Sequence, residues 1–120
     1  MISIVDDDES VREATKSLVR SLGYKAVTFG SAEEFLASAQ VLDTACLITD
    51  VQMPGLSGVE LQDRLIADGR HMPMIFVSAF PDERVQRQVL KSGAIGYLRK
   101  PFKEDHLIEY IDAALKSRRN

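Results

Sequence analysis

Short apolar runs alternate with segments of helical spacing along the whole chain. Runs at residues 2–5 (ISIV), 25–29 (KAVTF), 45–49 (ACLIT), 74–77 (MIFV) and 95–98 (IGYL) predict five strands. Most are apolar at successive positions rather than at every second one, as in strands covered on both faces. Between them, Val11, Thr15, Leu18, Val19 and Leu22 line one face of a first helix, which Gly23 stops. Ser31 followed by Glu34 is a capping-box signature ahead of a second helical stripe, Phe35, Leu36 and Ala39. Leu61 and Leu65 align on a third helix ending near Gly69, and Leu107, Ile111, Ala114 and Leu115 mark the fifth. The fourth, from Asp82 to Lys91, has Val85, Val89 and Leu90 as its only large apolar residues, which predicts a loosely held helix.

Alternating strands and helices with short links predict an α/β fold, a parallel sheet between two helical layers joined by right-handed crossovers. Five such units favour a flavodoxin-like (βα)5 three-layer sandwich with strand order 2-1-3-4-5. Ligands in such sheets bind beyond the carboxyl ends of the strands, near the point where the order reverses. Strand 1 runs into Asp6, Asp7 and Asp8, strand 3 ends at Asp50, strand 4 at Ser78, and strand 5 at Lys100 just after Arg99. Strand 2 ends at Gly30 and presents no polar side chain, which suits an edge strand.

Carboxylates gathered within a few ångströms repel one another and resist ionisation. A hard divalent cation relieves this, and an oxygen-lined site that keeps waters suits Mg²⁺. A lysine and a hydroxyl opposite the metal then complete a pocket for a tetrahedral anion, the parts that phosphoryl transfer needs. Asp50, behind a buried strand and ahead of Met53-Pro54-Gly55, is the best nucleophile candidate. Each residue also has a plain reading: Asp6, Asp7 and Asp8 as helix caps, Asp50 as a turn cap, Ser78 as the cap of helix 4, Lys100 as a solvated surface lysine. Independent capping would not select the same sheet edge four times.

Composition narrows the rest. The chain of 120 residues, 45% hydrophobic and 28% charged, reads as one globular domain over residues 1–120. No apolar run approaches the ~20 residues of a membrane span, and Met1 leads straight to three aspartates with no signal-peptide pattern. A single cysteine, Cys46, excludes an internal disulfide and reads as a core thiol, and a cytoplasmic location is expected. A net charge of −3 argues against nucleic-acid binding by this domain itself. His71 and His106 lack partners at ligand spacing, no glycine-lysine phosphate loop is present, and Arg84, Arg87 and Lys91 read as the wet face of helix 4.

Taken together, these residues resemble the receiver domain of two-component response regulators over essentially the whole chain. The resemblance rests on Val5-Asp6-Asp7 with Arg12, on Asp50-Val51-Gln52-Met53-Pro54-Gly55 with Gly58, on Val77-Ser78-Ala79, and on Gly96-Tyr97-Leu98-Arg99-Lys100-Pro101-Phe102. It implies that Asp50 accepts a phosphoryl group from a histidine kinase. It further implies Mg²⁺, with Mn²⁺ as an alternative ion, held by Asp7, Asp50 and the main-chain carbonyl of Gln52, with Asp6 acting through water. Lys100 and Ser78 would serve the phosphoryl oxygens, Tyr97 would be the switch aromatic, and the Lys100-Pro101 bond would be cis. Ser78 stands where the family often has threonine, which keeps the hydroxyl and loses a methyl.

The family expectation is a signalling domain rather than an enzyme, with self-catalysed phosphoryl transfer and slow autodephosphorylation. Phosphorylation would remodel the face of helix 4, strand 5 and helix 5 to control homodimerisation or an output domain. The phrase Ser31-Ala32-Glu33-Glu34-Phe35-Leu36 resembles receivers joined to LuxR-type helix-turn-helix domains. DNA contact would then come only through such an output domain, after a linker beginning at Ser117-Arg118-Arg119-Asn120, and no membrane is involved. A metal-dependent phosphohydrolase with an aspartyl nucleophile is the runner-up. Its usual second aspartate, two residues beyond the nucleophile, is replaced here by Gln52. A phosphorylation-independent binding module is a third reading, against which the full set of Asp6, Asp7, Asp50, Ser78 and Lys100 stands.

Overall fold

The computed structural model describes residues 1–117, so the end of the expected linker, Arg118-Arg119-Asn120, lies outside the described residues. Five strands form one sheet: β1 (Ile2–Val5), β2 (Ala26–Phe29), β3 (Cys46–Asp50), β4 (Met74–Ser78) and β5 (Gly96–Arg99). Every pairing is parallel and the order is β2-β1-β3-β4-β5, as the alternation predicts. Helices α1 (Glu9–Ser21), α2 (Ala32–Ala37), α3 (Gly58–Ala67) and α4 (Glu83–Lys91) lie in the four crossovers, and α5 (Glu104–Ser117) follows the last strand.

Successive strand residues face opposite layers, which is why the runs are continuously apolar. Leu47, Met74 and Phe76 pack with Phe35 of α2, Leu61 and Leu65 of α3 and Val89 of α4. Cys46, Ile48, Ile75 and Val77 pack with Val19 of α1 and Leu107, Ile111 and Ala114 of α5. Burying each large side chain of this kind contributes about 1.5–3 kcal/mol. α4 is the exception among the helices, with Val89 its one buried residue and Leu90 40% exposed.

Local signals account for most boundaries. Asp8 caps α1, its carboxylate accepting from Ser10 and Val11 N–H at 2.9 and 3.2 Å, and Gly23 follows the helix at φ 93°. Asp82, not Ser78, caps α4. The second helix departs from its predicted pattern. α2 stops at Ala37, and Ala39 is an exposed residue opening a 3-10 helix over Ala39–Asp43. The capping box at its start is only half formed. Ser31 accepts from Glu34 N–H at 3.1 Å, but Glu34 reaches past Ser31 to the N–H of Gly30 at 3.2 Å.

Candidate functional site

Parallel pairing brings the ends of β1, β3, β4 and β5 to one edge of the sheet. Asp6, directly after β1, is 2% exposed, and Asp50, the last residue of β3, is 6% exposed. The β1 end is fixed from both sides. Asp6 N–H donates to the Phe29 carbonyl at 3.1 Å, and Arg12 of α1 donates to the Asp6 carbonyl at 2.8 Å. The sequence motif includes Arg12 without a role; the structure gives it this backbone contact.

Lys100 follows β5, where its main-chain N–H bonds the Ser78 carbonyl at 2.8 Å. From there its ammonium reaches both acids, at 2.9 Å from Asp6 Oδ2 and 3.1 Å from Asp50 Oδ2. The plain reading of Lys100 as a solvated lysine therefore fails. The Lys100-Pro101 peptide bond is cis. Asp6 Oδ1 accepts from Asp8 N–H at 2.9 Å, so both oxygens of this buried carboxylate are engaged.

Charge placement sets the protonation energetics. Burial pushes the Asp50 carboxyl above its ordinary value, the Lys100 hydrogen bond opposes that rise, and the neighbouring Asp6 charge adds to it. Burial pulls Lys100 down, yet its bonds to Asp6 and Asp50 outweigh this and hold the ammonium above its ordinary value. Both carboxylates therefore face a firmly protonated cation.

Asp7, which is exposed, completes a cluster with Asp6 and Asp50 in which one oxygen of each lies within 4.8 Å of the others. Three carboxylate oxygens open to water on one side are a donor set that fits a hard divalent ion. Gln52 is exposed two residues beyond Asp50, and its main-chain N–H favours the ionised Asp50 carboxyl, offsetting a small part of the rise. Ser78 is fully buried at the end of β4, and its Oγ accepts from Phe80 N–H at 3.1 Å. Tyr97 is buried on β5, with its hydroxyl 3.4 Å from the Asp82 N–H at the start of α4. Cys46 is a buried thiol pushed up to about 12, away from this edge, and His71 and His106 are exposed.

A doubly covered parallel sheet with an acidic cluster and a lysine at its carboxyl edge defines the receiver architecture. Residues 2–112 match the family described as "Response regulator receiver domain", and this chain belongs to it. Its sequence is 44% identical over 116 residues to the response regulator protein TmoT of Ectopseudomonas mendocina, covering 97% of this chain and 53% of that protein. It is 38% identical over 114 residues to the transcriptional regulatory protein FixJ of Azorhizobium caulinodans, covering 95% and 54% respectively. The crystal structure of FixJ-N superposes with a TM-score of 0.84 at 33% identity, covering 96% of this chain and 92% of that one. The chain thus spans about half the length of the curated relatives it matches. It is a receiver domain of two-component signalling, a class that works with histidine kinases and output domains. Among the described residues, no helix is long and apolar enough to cross a membrane.

Proposed function

We propose that Asp50 is the phosphoacceptor of this receiver and that Lys100 is its electrostatic partner. The observation that carries this reading is the placement of one ammonium against two buried carboxylates at the ends of β1 and β3. An Asp50 carboxylate oxygen attacks the phosphorus of a phosphohistidine on the kinase. The P–N bond breaks, the imidazole leaves, and an acyl phosphate remains on Asp50. Lys100 transfers hydrogen bonds from the carboxylates to the incoming phosphoryl oxygens. Ser78 Oγ accepts from Phe80 N–H and has no acceptor for its own hydrogen among the described residues, so it can donate to the same group. Attack of water on phosphorus later releases phosphate and restores Asp50, the slow autodephosphorylation of the domain.

Asp7, Asp50 and the carbonyl of Gln52 would hold Mg²⁺ or Mn²⁺, with Asp6 acting through water. The bound ion supplies charge neutralisation among the acids and polarisation of the phosphoryl oxygens. The switch then runs through α4, which buries only Val89 and meets Tyr97 at its start. Recruitment of Ser78 and Tyr97 shifts the face of α4, β5 and α5, which forms a homodimer or releases an output domain. Relatives named as transcriptional regulators extend well beyond the matched region, which supports a DNA-binding output domain in the full-length protein.

Acetyl phosphate with Mg²⁺ tests the assignment. Intact-mass measurement should show one added phosphoryl group in the wild type and none in Asp50→Asn. Labelling that survives this substitution would move the acceptor elsewhere.

A further inference from the structure

We infer that Glu33 on α2 is a positioning residue for the loop that leaves the phosphoacceptor. Glu33 is the second residue of α2, and its Oε2 accepts from the Leu56 N–H at 3.3 Å, 23 residues away in sequence. The same carboxylate lies across Gly55. A Cβ built there would collide with Oε2 and stand 3.1 Å from the carboxyl carbon. Gly55 also has φ 78°, so this turn requires glycine for its backbone, while a Cβ there would push the Glu33 carboxylate aside.

Residues 51–57 connect Asp50 to α3. One end is held by Val51 N–H on the Val77 carbonyl at 3.0 Å and by Gly58 N–H on the Val51 carbonyl at 2.8 Å. The other is held by Ser57 and Glu60, which close a complete capping box on α3. Met53 is buried in the core between them. The Leu56 amide is the point where α2 takes hold of the loop. Acids in the first turn of a helix ordinarily serve its dipole, and Glu34 does so by reaching back to Gly30. Glu33 instead reaches away from its helix to the loop that follows β3. The path of residues 51–57 sets where the Gln52 main chain lies relative to Asp50, so a hold on the Leu56 amide bears on that placement.

This inference rests on Asp50 as acceptor. The test compares the wild-type chain with Glu33→Ala and Glu33→Gln, following acetyl phosphate labelling against Mg²⁺ concentration and exchange of the Leu56 amide. One hydrogen bond of this kind corresponds to about a three- to tenfold change. Glu33→Ala should label about that much more slowly, need more Mg²⁺, and expose the Leu56 amide. Glu33→Gln retains an acceptor oxygen and should restore most of all three. A normally labelling wild type with an equally fast Glu33→Ala, or a Glu33→Gln as impaired as Glu33→Ala, overturns the inference alone. A wild type that takes up no phosphoryl group overturns the Asp50 reading and the inference with it.

Discussion

The Gln62 side chain of α3 donates its amide to the main-chain oxygen of Val89 in α4 at 3.0 Å, bridging the two helices inside the core. The Val89 oxygen also accepts from Ala94 N–H at 2.9 Å. Gln62 Oε1 is buried and has no hydrogen-bond partner among the described residues. This tie is therefore lopsided: one end is doubly bonded, the other carries an unsatisfied carbonyl.

Gln62→Met keeps the volume, removes the orphan oxygen and leaves Val89 bonded to Ala94. An unsatisfied buried carbonyl costs about 1–3 kcal/mol, comparable to what a single hydrogen bond contributes. The variant should be unchanged or more stable in urea unfolding. A loss above about 2 kcal/mol would show that the bridge outweighs the orphan.

Asp50→Asn should stabilise the metal-free domain in a pH-dependent way. Asp50 titrates above its ordinary 3.8 in the folded chain, so the native state binds more protons than the unfolded one just above that pH. Stability falls as pH rises through that window, and the cost of the buried charge is fully present once Asp50 is ionised. The melting-temperature advantage of Asp50→Asn in chelator should grow from pH 3 towards neutrality. An equal advantage at both ends would place its origin in packing instead.

Mg²⁺ should raise the melting temperature, by a margin equivalent to about 2.7 kcal/mol at a hundred times its dissociation constant. Chelator should reverse this, and Asp7→Asn should need more ion for the same shift. A melting curve indifferent to Mg²⁺ would remove the metal from the site.

Gly96→Ala should destabilise the β5–α5 contact. A Cβ at Gly96 would stand 2.6 Å from the Tyr110 ring, so the ring must leave the strand. The expected loss is about 1–3 kcal/mol. Combining it with Tyr110→Ala should give less than the sum of the single losses in a double-mutant cycle, and strict additivity would show that the two do not meet.

Strand and helix order was legible because burial on both faces leaves an uninterrupted apolar run, as in Ile2–Val5 and Met74–Val77. The strand-end rule placed Asp6, Asp50 and Lys100 together, and the structure bonds them. Ala39 was misplaced because spacing from Phe35 fits a longer helix, whereas Ser38 turns extended and the chain tightens to 3-10. Nothing in the sequence signals the contacts that Glu33 and Gln62 make. A glutamate in a first turn and a glutamine on a helix both read as solvent-facing, and their partners lie 23 and 27 residues away. Contacts of that range depend on how helices lie across the sheet, which periodicity does not encode.

The Lys100 ammonium meets Asp50 across 50 residues of chain and Asp6 across 94. A growing polypeptide thus carries its acids long before the cation that separates them. Until β5 docks beside β4, the acidic edge is a bare cluster of mutually repelling charges. On the proposed assignment of Asp50 and Lys100, a product truncated before Lys100 lacks the cation its acids face and is expected to stay unlabelled by acetyl phosphate.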